Sequence, residues 1–282
     1  MMEIILVSLS LSSIYAVSAI GLTFIFGQMQ IVNWVHGGAY MTGAYALYYL
    51  YAEVGLNYFS AFGCSIVSAG IVGIIVERFV FRPIKGEFIA SIPALAGILL
   101  LMQSLGYIIF GTMDKYAPPL FGTVVSFFNV SYSLDRLFII FLASFLIIIL
   151  NTFMKKTKTG RAMRAIQQDK EAAGVLGVNV NRMHALAFFI GCGLAGAAGA
   201  LVAPLYSVNP SMWVGPLLKS FIIVILGGMG SIFGASIAAL IIGFIDGILG
   251  TLLGSAFALL CSFMIVMLVL IIRPQGIAGY ET

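Results

Sequence analysis

The chain has 282 residues, of which 61% are hydrophobic and only 9% are charged, and its mean hydropathy is +1.12. Soluble domains average roughly 25% charged residues, so this chain has too few polar side chains to cover a water-soluble globule. The composition excludes a soluble enzyme, a disordered chain and a disulfide-stapled secreted module. The net charge of +4 does not indicate nucleic-acid binding, because most basic residues flank apolar runs and therefore act as topology signals.

Uncharged runs long enough to cross a bilayer, about 20 residues each, recur along the chain. The run 4–52 is long enough for two crossings, and a polar patch from Gln28 to Asn33 divides it. Further crossings are expected within residues 57–76, 88–113, 137–154, 183–218, 220–245 and 247–272. The Pro- and Gly-rich run 116–134 is expected to be an external loop or an interfacial segment. The sequence predicts one all-α polytopic membrane domain, 1–282, with eight or nine spanning or re-entrant helices, some of them broken at Gly-rich turns.

The basic residues are concentrated in three places, which are residues 77–87, residues 155–182 and Arg273. Because Lys and Arg accumulate on the cytoplasmic side of membrane proteins, these segments and the C-terminus are predicted to be cytoplasmic. Counting the crossings back from there places the N-terminus outside. Three basic residues are then left on the external side, namely Lys115, Arg136 and Lys219.

The cytoplasmic segment 155–182 is too long and too rich in helix formers to be a simple connector. A helix is expected from Arg161 to Ala173, with Thr159 as its N-cap and with the glycines at 174 and 177 ending it. The apolar face of this helix consists mostly of alanines. Such a face favours docking into a groove on a partner protein over insertion among lipid headgroups.

Three polar side chains, Gln28, Asn33 and His36, lie inside the first uncharged run, where unsatisfied polar groups are costly. They are interpreted either as the lining of a transport pathway at a helix break, or as a cytoplasmic-side turn in which His36 caps a helix. The neighbouring small residues Gly37 and Gly38 predict close packing between helices beside this break.

Asp246 is the one acidic residue inside the late apolar run 241–253. It is expected to be either an interfacial carboxylate in water or a pathway group that attracts an ammonium group. Gly227, Gly228 and Gly230 interrupt the preceding apolar run. This interruption is interpreted either as an unwound pathway segment or as a tight turn between two helices.

No pattern in the sequence predicts catalysis by this chain. It contains no HExxH motif, no GxSxG motif and no phosphate-binding GxxxxGK[ST] motif. The three cysteines lie far apart and form no CxxC pair, so no metal site is predicted either. Without a phosphate-binding loop, this chain is not expected to hydrolyse ATP itself.

A family resemblance is carried by short segments spread over the whole chain. They are residues 21–23 (GLT), 32–45 (VNWVHGGAYMTGAY), 82–86 (RPIKG), 160–165 (GRAMRA), 226–231 (LGGMGS), 234–235 (GA) and 273–276 (RPQG). In this order and spacing they resemble the branched-chain amino-acid (Liv-type) permeases of ATP-binding-cassette importers. Glu171-Ala172-Ala173 followed by Gly177 resembles the EAA---G pattern of such permeases. Two positions depart from the family pattern, which usually has a polar residue at Gly38 and an aromatic residue at Ala278.

The resemblance implies a permease subunit of the bacterial plasma (inner) membrane that imports branched-chain or related hydrophobic amino acids by alternating access. The implied partners are the lipid bilayer, a second permease subunit of the same type, two cytoplasmic ATPase subunits and an external substrate-binding protein. ATP and Mg²⁺ would bind to the ATPases, and no cofactor would bind to this chain. The residues implied as ATPase contacts in the coupling loop 155–182 are Arg161, Arg164, Asp169, Lys170, Glu171, Ala172, Ala173 and Gly177. A solvated basic face is the alternative interpretation of these residues.

Three other functions stay open at the level of sequence. An importer of urea or short amides would share this permease architecture. A passive channel would need no coupling helix, so the long basic loop argues against it. A membrane-embedded enzyme would need convergent reactive groups within the spans, where only His36 and Asp246 are available.

Overall fold

The computed structural model describes residues 2–84, 88–127 and 130–278, so Lys85 and Gly86 of the RPIKG segment lie outside the described residues. The helix Val35–Leu47 (α2) continues into a π-helix, Tyr48–Glu53, and the helix Tyr58–Val76 (α3) continues into a second π-helix, Glu77–Phe81. The elements in chain order are α1 (Met2–Met29), α2 (Val35–Leu47), α3 (Tyr58–Val76), α4 (Phe88–Phe110), β1 (Val124–Phe127), β2 (Val130–Ser133), α5 (Leu134–Lys156), α6 (Lys158–Gln168), α7 (Lys170–Val175), α8 (Val180–Val202), α9 (Val214–Gly227), α10 (Ile232–Leu252) and α11 (Ser255–Ile272).

The prediction of an all-α polytopic membrane protein is confirmed. Within the described residues, 7 helices are long and apolar enough to cross a membrane, namely α1, α3, α4, α5, α8, α10 and α11. Helix α9 is a shorter apolar helix, and α2 joins its π-helix without a break. These two additional segments bring the number into agreement with the predicted eight or nine. The run 116–134 adds a small hairpin, in which β1 and β2 pair antiparallel with Val124 opposite Ser133.

Helix α8 lies at the centre of the bundle and packs against α1, α2 and α3. Residues 191–202 of α8 are all buried, and most of them are Gly or Ala. Small residues let helix backbones approach closely, and in a bilayer this packing replaces the hydrophobic drive that is missing between apolar helices. Helix α1 lies between α8 and α10, whereas α4, α5 and α11 are mostly exposed, as helices in contact with lipid are.

The basic segments predicted to be cytoplasmic meet at one end of the bundle. Gly27, at the end of α1, faces Gln167 of α6 and Gly230 of the turn after α9. The C-terminal segment returns to the same turn, where the backbone N–H of Ala278 donates to the carbonyl oxygen of Gly227 at 3.1 Å. We call residues 77–84, 158–178, 228–231 and 273–278 the basic end, and residues 54–57, 111–127, 203–213 and 252–255 the opposite end. Folding thus places the basic segments of the sequence at the same end of the bundle.

Candidate functional site

The break after α1 leads the chain back into the bundle. His36 is the second residue of α2, and its Nε2 lies 2.9 Å from the carbonyl oxygen of Ser18. Ser18 precedes the end of α1 by three helical turns, or about 16 Å along the helix axis. Helix α2 therefore begins near the middle of the membrane, and residues 30–34 run back from the basic end to reach it. His36 is 0% exposed and caps no helix, so the geometry favours the helix break over a cytoplasmic-side turn in which His36 is a cap.

Polar side chains at this break bond to one another inside the bundle. Because a carbonyl oxygen can only accept, Nε2 of His36 carries the hydrogen that it donates to Ser18. The Ser18 hydroxyl also lies 2.8 Å from the hydroxyl of Ser220 on α9. Asn33 donates from Nδ2 to Sγ of Cys192 on α8, at 3.9 Å. These contacts join α1, α2, α8 and α9 through buried polar groups.

Gly37 and Gly38 lie where other helices leave no room for a side chain. A Cβ at Gly37 would lie 3.1 Å from Cε3 of Trp213, and one at Gly38 would lie 2.6 Å from Sδ of Met102. Close packing against α9 and α4 therefore accounts for both glycines. Their further role in a pathway stays a prediction.

Gln28 lines a cavity of about 390 Å³ at the basic end. The cavity wall also includes Gln30, Gln167 of α6 and Lys170 of α7. Both side-chain polar atoms of Gln28 are buried without a hydrogen-bond partner among the described residues. The structure thus brings one predicted pathway residue against the segment that was predicted to contact an ATPase.

The glycines at 227, 228 and 230 form a tight turn between α9 and α10. Gly228 and Gly230 have φ angles of +96° and +90°, which glycine adopts without steric cost. The Ser231 hydroxyl then accepts from the N–H of Gly234 at 3.1 Å and caps α10. Of the two interpretations, the geometry favours the turn. A pathway role for these glycines stays a prediction.

Asp246 is paired inside the bundle, so of its two interpretations the geometry favours the pathway group over an interfacial carboxylate in water. Its Oδ1 lies 2.5 Å from Nζ of Lys219, and its Oδ2 accepts from the hydroxyl of Tyr15 at 2.8 Å. Nζ of Lys219 also donates to the hydroxyl of Ser262 on α11, at 2.8 Å. Lys219, which the sequence left on the external side, is only 6% exposed. It lies on α9, which begins at Val214, and not in the segment before this helix.

The Lys219–Asp246 pair faces a cavity of about 660 Å³ toward the opposite end. We call it the outer cavity. Its polar wall includes Tyr15, Lys219 and Asp246. Apolar side chains form much of the remaining wall, among them Val7, Leu11, Ile14, Val202, Met212 and Leu259. Its volume is within the range of small-molecule sites, about 300–1,000 Å³.

The coupling loop contains two short helices, α6 and α7, instead of the single helix expected from Arg161 to Ala173. Thr157, and not Thr159, caps α6 by accepting from the N–H of Gly160 at 2.9 Å. Asp169 ends α6 and caps α7, because its Oδ1 accepts from the N–H groups of Glu171 and Ala172 at 2.9 Å. The Asp169 side chain favours this break by offering the backbone another acceptor.

The residues predicted to contact an ATPase differ in their surroundings. Arg164 donates from Nη1 to the carbonyl oxygen of Met154, and it thereby fastens α6 to the end of α5. Ala173 is buried, and Gly177 ends α7 with a φ of +86°. The others are exposed at the surface of the basic end: Arg161, Asp169, Lys170, Glu171 and Ala172.

Sequence reasoning missed two exposed apolar residues at the C-terminal end of α7. Val175 and Leu176 are 89% and 82% exposed. They lie at the basic end, and the residues next to them in the sequence include exposed charged residues of the coupling loop. Large apolar side chains exposed in such a place are typical of protein-docking surfaces. The signal in the sequence was the pair itself, Val-Leu between two glycines in an otherwise polar loop.

Comparison with known proteins identifies the family. The model of the family described as branched-chain amino acid transport system / permease component matches residues 4–272. The chain is 34% identical to the permease protein LivH of the high-affinity branched-chain amino acid transport system of Escherichia coli K12, over 96% of this chain and 92% of LivH. It is 31% identical to the corresponding BraD of Pseudomonas aeruginosa, over 96% and 93% of the two chains.

A second permease protein of the E. coli system, LivM, is 26% identical over 95% of this chain and 68% of LivM. Among solved structures, PsaBC from Streptococcus pneumoniae in complex with Fab is similar in fold, with a TM-score of 0.60 and 14% identity, covering 97% of this chain and 93% of that one. The chain belongs to the family of permease components of branched-chain amino acid transport systems.

Proposed function

We propose that this chain is the membrane-spanning permease subunit of an ATP-driven importer of branched-chain or related hydrophobic amino acids. The observation that carries the proposal is the family match over nearly the whole chain. The α6–α7 segment at the basic end adds structural support, since a passive channel has no need for it. Uptake of radiolabelled leucine, isoleucine and valine by cells that express the complete transporter tests the substrate class. Uptake of urea or short amides in their place would contradict it.

The complex that we propose has three kinds of protein partner around this chain. Because LivH and LivM of one bacterium are both similar to it, a second permease of the same type pairs with it in the membrane. Two cytoplasmic ATPase subunits bind ATP and Mg²⁺, and an external binding protein delivers the amino acid. This chain contributes the transport path and binds no nucleotide.

Coupling to the ATPases is proposed to occur through α6 and α7. Helix α6 is firmly attached to the body of the bundle, because Arg164 bonds to the end of α5 and Gly160 leaves no space between the two helices. A displacement of α7 would therefore be passed to α5 instead of being absorbed by a flexible loop. Alternating access would follow from rigid-body movement of the permease helices, with the path opening first to one side and then to the other.

The docking surface that we propose consists of Glu171, Ala172, Val175 and Leu176. We expect that Leu176→Asp, alone or with Glu171→Arg, reduces ATPase co-purification about tenfold or more and abolishes uptake, because it removes an apolar contact and buries a charge. Pull-down of the ATPase and amino-acid uptake are the measurements. The matched control is Leu253→Asp, a similarly exposed leucine at the opposite end, which should leave assembly intact. Normal pull-down and uptake by the α7 variants would show that this surface is not the coupling site.

The proposed orientation places the basic end in the cytoplasm and the N-terminus outside. It can be tested in a variant whose three cysteines, Cys64, Cys192 and Cys261, are replaced by alanine. In that background a membrane-impermeant thiol reagent should label Leu253→Cys in intact cells. It should label Arg78→Cys, an exposed position at the basic end outside the proposed docking surface, only after the membrane is permeabilised. Labelling in the reverse pattern would invert the topology.

A further inference from the structure

We propose that the Lys219–Asp246 pair at the wall of the outer cavity is a binding subsite for the α-carboxylate and α-ammonium groups of a zwitterionic amino acid. Lys219 would bind the carboxylate, and Asp246 would bind the ammonium. The inference rests on the proposed function, and it adds a specific place in this chain where the transported molecule is bound.

The first argument is the cost of placing charges in the membrane. Desolvating an ammonium and a carboxylate consumes much of the energy that their attraction returns, and apolar residues of similar volume commonly stabilise a bundle as well or better. Charged residues within membrane spans mark substrate or ion paths by default. A purely structural role therefore does not explain why this bundle holds Lys219 and Asp246 beside a cavity.

The second argument is that the pair lines the cavity and has bonding capacity that its described contacts leave unused. Nζ of Lys219 has three hydrogens, of which two are directed to Asp246 and Ser262 among the described contacts. Oδ2 of Asp246 accepts from Tyr15, and a carboxylate oxygen offers two acceptor sites. Tyr15, Lys219 and Asp246 all line the cavity. A zwitterion could thus add one acceptor to Lys219 and one donor to Asp246 without breaking the existing contacts.

The third argument is the match between the rest of the cavity and an aliphatic side chain. Leu11, Ile14 and Leu259 stand in the wall together with the charged pair. An amino acid whose two charges meet Lys219 and Asp246 would place its side chain against this apolar surface. An amine or a carboxylic acid of the same shape would leave one of the two protein charges without its ligand partner. The site should therefore select zwitterions with apolar side chains.

The fourth argument is access. Residues at the rim of the cavity, Gly215, Thr251 and Ser255, are exposed. The rim lies toward the opposite end, away from α7, which is the side at which a binding protein would release its amino acid in the proposed orientation. The subsite is therefore placed where an arriving molecule would be met first.

The test uses the assembled complex of both permeases and ATPases in nanodiscs, without the binding protein. Binding of radiolabelled leucine should be measurable, and isoamylamine and 4-methylpentanoate should compete about tenfold or more weakly than unlabelled leucine. The double variant Lys219→Met with Asp246→Leu removes both charges together, so that neither is left unpaired and the complex still assembles. It should lose leucine binding, and uptake with the binding protein restored, by about tenfold or more.

The control variant is Arg136→Met, which removes a partly buried charge near the same end that bonds to Ser10 and does not line the cavity. It should bind and transport leucine as the wild type does. If the wild-type complex transports leucine but the double variant is equally active, or if the transporting complex binds no leucine, the subsite is wrong and the proposed function stands. If the wild-type complex transports no hydrophobic amino acid, the proposed function itself is wrong, and the subsite is overturned with it.

Discussion

Replacing Gly199 with valine is expected to prevent the central packing of the bundle. Gly199 of α8 faces the backbone of α2, and a Cβ there would lie 2.9 Å from the carbonyl carbon of Tyr40 and 3.2 Å from the N atom of Ala44. Backbone atoms cannot turn away as a flexible side chain can. Overpacking of a tight core costs typically 1–3 kcal/mol, and this contact between two backbones should reach about 3 kcal/mol or more.

The measurement is the free energy of unfolding in detergent, together with the amount of monodisperse protein recovered from membranes. Gly63→Val is the matched control. Gly63 also lies inside a helix, α3, but no atom lies within 4 Å of a Cβ built there. It should change stability by less than about 1 kcal/mol, because only intrinsic helix propensity is altered. Equal stability of the Gly199 and Gly63 variants would contradict the proposed tightness of the α2–α8 contact.

Removal of Arg82 is expected to leave a buried carboxylate without its partner. Glu77 is 0% exposed, and its oxygens accept from Nε and Nη2 of Arg82 at 3.3 and 2.9 Å. Breaking a buried ion pair from one side typically costs about 3–5 kcal/mol, because the remaining charge is desolvated and unpaired. Since the Arg82 side chain is 35% exposed, the expected loss for Arg82→Met is at the lower limit, about 3 kcal/mol.

A double-mutant cycle separates the ion pair from other effects of the substitution. The double variant Glu77→Gln with Arg82→Met should recover much of the stability that Arg82→Met alone loses, since no buried charge then remains. Arg78→Met, which changes an exposed arginine four residues away, should shift the unfolding free energy by less than about 0.5 kcal/mol. If Arg78→Met and Arg82→Met lowered the unfolding free energy by similar amounts, the Glu77–Arg82 ion pair would not be the cause of the loss.

Much of the fold could be predicted from the sequence, because hydropathy and helix length are local properties. Spans such as α3, α5 and α8 follow from uncharged runs of about 20 residues. The basic segments also predicted correctly which parts of the chain share one end. The break between α6 and α7 was missed, because the choice between one helix and two depended on whether the Asp169 side chain bonds to its own backbone.

The candidate sites were harder to predict from the sequence than the fold was. His36 and Asp246 were both selected, but the sequence left two interpretations open for each. In the structure His36 is buried, and Asp246 is paired with Lys219 beside a cavity. Lys219 was assigned only to the external side, because it lies at the border between two apolar runs. Nothing near it in sequence indicates its partner, since Asp246 lies 27 residues later on another helix.

By itself the sequence determined that this is an integral membrane protein. It also determined the membrane-spanning segments, the basic end and the family. These properties depend on composition, on the length of apolar runs and on short motifs, and all of them can be counted along the chain. Only the tertiary structure decided that α2 begins at mid-membrane, that Lys219 meets Asp246 beside a cavity, and that Val175 and Leu176 are exposed. The physical reason is that pairing and exposure depend on which helices become neighbours, and close contacts between small residues such as Gly43 and Gly196 set that choice.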